Sequence, residues 1–206
     1  RARDLIRQIL TFSRQRDQER VPVKTGVILK EGLKLLRATL PKNIQIREII
    51  RTEADIVLAD PTQLHQIVMN LCTNAAHAMR DKGGVLEVIL DEFSHDTASK
   101  AHISDLEPGP YLQLTVRDTG IGLLKEHADQ LFQAFAQADS SITRRYGGTG
   151  LGLSISQGLV TLMGGSIAVS SAPGQGATFT FTAVLEPGTD SEAGFASPAL
   201  PVSAKL

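Results

Sequence analysis

The 206-residue chain carries 21 basic and 22 acidic residues, a formal charge of −1, so no overall field draws it to nucleic acid or to an anionic membrane. Its single cysteine, Cys72, excludes an internal disulfide and a cysteine-built metal cluster and fits a reducing, cytoplasmic compartment. No apolar run approaches the roughly 20 residues that a bilayer span needs, and no signal peptide is visible.

Residues 1–20 read as an amphipathic helix, with Ala2, Leu5, Ile6, Ile9, Leu10 and Phe12 on one side and Arg3, Arg7, Arg14 and Arg16 largely elsewhere. That apolar face needs a partner. Val21, Pro22 and Val23 break the helix and start a short strand. Leu29, Leu33, Leu36 and Leu40 then recur at helical spacing up to Pro41. Residues 44–50 alternate as a strand, and residues 56–59 form a shorter one that is expected to pair with it as a hairpin.

The next helix is capped by Asp60, has Pro61 in its first turn, and is expected to run to Gly83 and Gly84. Leu64, Ile67, Val68, Leu71, Cys72, Ala75, Ala78 and Met79 fall on one face at 100° per residue. Gln66, Asn70, Asn74 and His77 occupy a stripe of about 80° opposite. A solvated face would normally carry Lys and Glu; amides and an imidazole suit hydrated ions and polar ligands.

Residues 85–90 form a strand, 91–110 a polar loop, and 111–118 another strand. Gly120 and Gly122 follow it in DTGIG; Gly147, Gly148, Gly150 and Gly152 come later in GGTGLGL, just before a helix over 151–163. Glycines at both bends imply positive φ or close approach of backbone to a ligand. A helix opening at Gly150 or Leu151 presents free N–H groups and a positive dipole end that suit phosphate. The intervening segment, rich in Gln, Ser and Thr, reads as a lid. Gly164 and Gly165 end the last helix, and residues 166–171 and 177–184 form a hairpin around Pro173 and Gly174. The expected architecture is α/β, a two-layer sandwich with helices on one face of a mixed sheet. Both chain ends, one without methionine and one rich in Pro, Ala, Ser and Gly (187–206), read as cuts in a longer protein.

Taken together these stretches resemble sensor histidine kinases. NLCTNAAHAM is similar to their N box, DTGIG to the G1 box, LFQAF to the F box and GGTGLGL to the G2 box, in the same order and at matching intervals. The lid text FAQADSSITRRYGGTGLGLSIS is especially like that of hybrid sensor kinases. The resemblance implies the Bergerat ATP-binding fold over residues 21–186. It makes residues 1–20 the end of the dimerisation and phosphotransfer hairpin, and 187–206 a flexible linker.

The implied site binds ATP with Mg²⁺. Asp118 would accept a hydrogen bond from the adenine amino group, as a carboxylate can. Asn70 would be the magnesium ligand, a neutral amide suiting an ion that keeps much of its water. Asn74 and His77 would lie near the phosphates. Gly120, Gly122, Gly148, Thr149, Gly150, Leu151 and Gly152 would line the nucleotide. Gln66 stands where related ATPases have a water-activating glutamate; an amide is no general base, which favours transfer over hydrolysis. Gln137 lies where some members have an arginine after the F box, and Arg144 or Arg145 could supply that charge to the γ-phosphate instead.

The implied partners are a hairpin phosphoacceptor domain, through which the parent would be a homodimer, and a response-regulator receiver domain; nucleic acid is not among them. The phosphoacceptor histidine itself is expected to be absent. His95 precedes Asp96 in imitation of the family's His-acid pair, but it lies in a polar stretch without helical periodicity. His65, His102 and His127 lack an acidic neighbour in the expected place. A conformational ATPase of the same superfold and a catalytically inactive nucleotide sensor are the competing readings.

Overall fold

The computed structural model describes residues 20–95, 106–128, 130–132 and 151–185. The stretches expected to form an amphipathic helix (1–20, all but Arg20), a lid (136–146) and a linker (187–206) lie outside the described residues.

The strands are β1 (Val21–Lys24), β2 (Ile44–Ile50), β3 (Ile56–Ala59), β4 (Gly84–His95), β5 (Gly109–Asp118), β6 (Ile167–Ser171) and β7 (Ala177–Val184). The helices are α1 (Thr25–Thr39), α2 (Pro61–Ala78), the single turn α3 (Lys125–Ala128) and α4 (Gly152–Leu162). Strands β2-β4-β5-β7-β6 form one mixed sheet, in which only the β2–β4 pair is parallel. β1 and β3 form a separate antiparallel ribbon, which the Val57–Leu185 bridge joins to the end of β7. Helices α1, α2 and α4 cover one face of the sheet.

The core follows the two periodicities. α1 buries Leu29, Leu33 and Leu36; α2 buries Leu64, Ile67, Val68, Leu71, Cys72 and Ala75. These meet Leu86, Val88 and Leu90 of β4, Leu112, Leu114 and Val116 of β5, and Phe179 and Phe181 of β7, every second residue of each strand. Burial pushes the Cys72 thiol up to about 12, so it packs as a small apolar side chain.

Three expectations are corrected. β2 and β3 do not form a hairpin. The five residues between them are committed elsewhere: Arg51 donates its N–H to Leu90 O and its side chain to Asp91. The Asp55 carbonyl accepts from Thr25 N at 2.9 Å, and its carboxylate from Gly26 N at 2.8 Å. This leads the chain out of the sheet. It also caps α1, whose own preceding residue Lys24 offers no side-chain cap. Gly26 is small because a Cβ there would press on the Asp55 carboxylate. Asp55→Ala is expected to cost about 1 kcal/mol, the usual worth of a lost cap, read as a lower urea midpoint.

The second correction concerns residues 91–95, expected in a loop. They extend β4, pairing in register from Asp91 with Gln113 to His95 with Gly109. Their polar side chains obscured a strand whose other neighbour is the apolar β5. His95 thus ends a strand, its ring centroid 6.2 Å from that of Phe93.

Helix α2 also stops earlier than the glycine pair implies, at Ala78, and a turn carries the chain to Gly83 and Gly84, both with positive φ. No described helix is long and apolar enough to cross a membrane.

Candidate functional site

α2 starts where Asp60 accepts a hydrogen bond from Thr62 N at 2.7 Å, with Pro61 in the first turn. Once its apolar stripe is buried, Gln66, Asn70 and Asn74 lie half-buried on another side and His77 is exposed one turn further on. α4 packs beside α2. The Asn70 Nδ2 group donates to Gly152 O at 3.2 Å and to Ser156 Oγ at 3.3 Å. A carbonyl oxygen only accepts, so this contact assigns the amide: Nδ2 donates to α4, and Oδ1 takes no part in either bond.

Ser156 is fully buried and bonds Gly152 O at 3.0 Å. It therefore fixes the orientation of Asn70, a role that its place within an apolar helix pattern concealed. α4 opens without a side-chain cap, and its first intrahelical acceptor is Leu151 O, bonded by Ile155 N. The N–H groups of Gly152, Leu153 and Ser154 lie ahead of that bond and have no acceptor inside the helix. The positive end of α4 therefore lies beside Asn70, an arrangement suited to phosphate.

The other end of the site is set by Asp118, at the C-terminal end of β5 and only 2% exposed. Its Oδ1 accepts from Gly120 N at 2.8 Å and from Ala177 N at 3.3 Å, and Oδ2 takes no part in either bond. Burial raises its pKa, and the two N–H groups oppose that shift. Ile121 N donates to Ala78 O at 3.2 Å, seating the loop on the end of α2. Eight residues of helix separate Asn70 from Ala78, a rise of about 12 Å, so the site is elongated, with the carboxylate and the amide towards opposite ends.

Gly122 takes the positive φ expected of a glycine at this bend, and what approaches Gly120 and Gly122 closely is the protein itself. A Cβ on Gly120 would meet Ala78 at 2.7 Å, and one on Gly122, which has φ +68°, would overlap Ala172 O. Both accommodate the protein's own backbone. Gly176, unremarked in the sequence, is equally constrained: its φ is +77° and a Cβ would overlap Asp118 O. Ser171 completes the seat, accepting from Leu123 N at 2.9 Å and donating to Gly176 O at 2.7 Å. At Gly152, in contrast, an added Cβ would make only ordinary contact, 3.7 Å from the Asn70 amide.

His77 has its pKa lowered by partial desolvation and then by the charge of Arg80, which favours the neutral imidazole at neutral pH. Arg144, Arg145, Gly148, Thr149 and Gly150 lie outside the described residues. No group of three or more His, Cys, Asp or Glu suited to a metal occurs among the described residues.

A profile of the family described as histidine kinase-, DNA gyrase B-, and HSP90-like ATPase matches residues 59–187. The sensor protein GacS of Pseudomonas syringae pv. syringae is 35% identical over 181 residues, covering 85% of this chain and 19% of that protein. The signal transduction histidine-protein kinase BarA of Escherichia coli K12 is 36% identical over 183 residues, covering 86% and 19%. The chain therefore spans about a fifth of the length of these relatives. Among solved structures, full-length ShkA in complex with AMPPNP superposes with a TM-score of 0.62 at 26% identity, covering 84% of this chain and 32% of that one.

Proposed function

Because the chain belongs to the histidine kinase-, DNA gyrase B-, and HSP90-like ATPase family, as an ATP-binding catalytic domain of the sensor histidine kinase type, we propose that it delivers the γ-phosphate of ATP to a histidine on a separate hairpin domain. The observation that carries this reading is the pairing of Asn70 with the start of α4: an amide held beside N–H groups that have no acceptor inside the helix, about 12 Å along α2 from Ala78, on which the loop after Asp118 is seated.

Asp118 Oδ2 accepts from the adenine amino group, and the N–H groups that open α4 hold phosphate oxygens, with Asn74 and His77 along the same helix. The Asn70 Oδ1 would hold Mg²⁺, which when bound neutralises charge on the phosphates. Arg144 and Arg145 supply further positive charge to the γ-phosphate. An imidazole nitrogen of the hairpin forms the new N–P bond while the bond from phosphorus to the β–γ bridging oxygen breaks, and ADP leaves. Gln66 cannot take a proton from water, so transfer prevails over hydrolysis. A receiver domain then takes the phosphoryl group from the histidine.

Asn70→Ala is expected to abolish the gain in nucleotide affinity that magnesium confers, while leaving metal-free binding measurable. Titrations with and without magnesium check this, and equal enhancement in both proteins would remove Asn70 as the ligand. Phosphotransfer is tested by adding the hairpin domain of a hybrid kinase to the chain with labelled ATP. Acid-labile, base-stable label on the hairpin histidine is expected, and none on His95. Steady hydrolysis with no transferred label would favour the conformational ATPase.

A further inference from the structure

β2 is an edge strand. β4 occupies one side of it, and among the described residues no strand pairs with the other. The phase of that open side can be read from the ladder's ends. Gly84 N donates to Asn43 O and Arg51 N donates to Leu90 O, so odd-numbered residues from 43 to 51 address β4. In a parallel ladder the residues between them turn their main-chain groups outward. The N–H and C=O groups of Ile46 and Glu48 therefore face away from the sheet.

Beside this edge lies a hollow of about 210 Å³, lined by Arg37, Leu40, Pro41, Lys42, Ile44 and Ile46. Its apolar floor comes from the last residue before Pro41 and from the side of β2 that faces α1. Arg37 and Lys42 are exposed cations at its rim. Lys30 and Lys34 lie on the same face of α1 as Arg37, at i, i+4 and i+7, and Arg47 projects from β2 itself. All five are exposed, and none forms an ion pair among the described residues.

We propose that this edge is a docking site for an extended acidic peptide of a partner protein, added to β2 as a sixth strand. Main-chain bonds to Ile46 and Glu48 would hold the peptide, and one of its apolar side chains would enter the hollow. Charge complementarity selects the occupant: carboxylates beside Arg37 and Lys42, and a neutral residue opposite Glu48.

Three labelled hexapeptides test this by fluorescence anisotropy with the 206-residue chain. One has glutamate at its first and fifth positions and valine at its third, so that all three share the face turned to the hollow, with threonine between them; one replaces glutamate by lysine; and one is the acidic sequence N-methylated at alternate amides so that it cannot pair as a strand. The acidic peptide is expected to bind at least about tenfold more tightly than either control, equivalent to about 1.4 kcal/mol. Its addition should slow hydrogen exchange at the Ile46 and Glu48 amides. The double variant Arg37→Glu, Lys42→Glu, checked for folding by its circular dichroism, should lose that preference. If the cations merely guard an edge against association, neither acidic form will bind, and the proposal fails. It fails equally if the N-methylated peptide binds as well as its parent. Slow exchange of both amides in the peptide-free chain would show the edge already occupied by the chain itself and overturn it too.

Discussion

Asp118→Asn should weaken ATP binding by roughly 10- to 100-fold while leaving the domain folded. The substitution keeps an oxygen to accept from Gly120 N and Ala177 N, and it places an NH₂ where Oδ2 would accept from the adenine amino group. One charge-assisted hydrogen bond is lost, worth about 1.5–3 kcal/mol. Calorimetric titration measures the change, and unchanged affinity in a folded variant would remove Asp118 from the site.

The same substitution carries a signed prediction about stability. Burial raises the native pKa of Asp118 above its ordinary value of about 3.9. Between that value and the native one, the folded state holds the proton more than the unfolded state does. Stability from this group is therefore fully present below the unfolded pKa and falls as pH rises through the window. Asp118→Asn removes that decline. Urea midpoints of the two proteins should diverge as pH is raised through the acidic range, with the variant the less pH-dependent.

Gly176→Ala should cost upwards of about 3 kcal/mol and carry nucleotide affinity down with it. Its φ of +77° is one that an alanine adopts at a penalty of about 1–2 kcal/mol. Beyond that, the new Cβ would overlap the carbonyl oxygen of Asp118 and lie 2.9 Å from Thr119 Cα, so the strand end that holds the carboxylate must move. Gly174 provides the control. Its φ is +75°, but nothing lies within 4 Å of a Cβ there, so Gly174→Ala should pay the conformational penalty alone. Urea unfolding of both variants separates the terms, and equal losses would refute the steric account.

How much of this was legible in advance depended on the range of the forces involved. Helix α2 could be read because its information is local: Asp60 and Pro61 at its start, and a 3.6-residue apolar period that buries Leu64, Ile67, Val68, Leu71, Cys72 and Ala75. The mixed sheet with helices on one side followed from similarly local alternation, and the order of four motifs identified the family. Strand partners did not follow. β2 and β3 look like a hairpin by proximity, but Asp55 is drawn 29 residues back to cap α1, and β2 pairs instead with β4. The polar residues 91–95 reveal themselves as strand only when β5 lies alongside.

Within the site, sequence alone singled out the side chains whose chemistry the proposed reading uses: the carboxylate of Asp118 and the amide of Asn70. Only the tertiary structure decided how they are held. Ser156 orients Asn70 across 86 residues of chain, and the hairpin between β6 and β7 seats the Asp118 loop through Ser171 and Gly176. A local pattern records what one turn of helix or one strand must bury; contacts between distant segments depend on shape, and no periodicity in the chain encodes them.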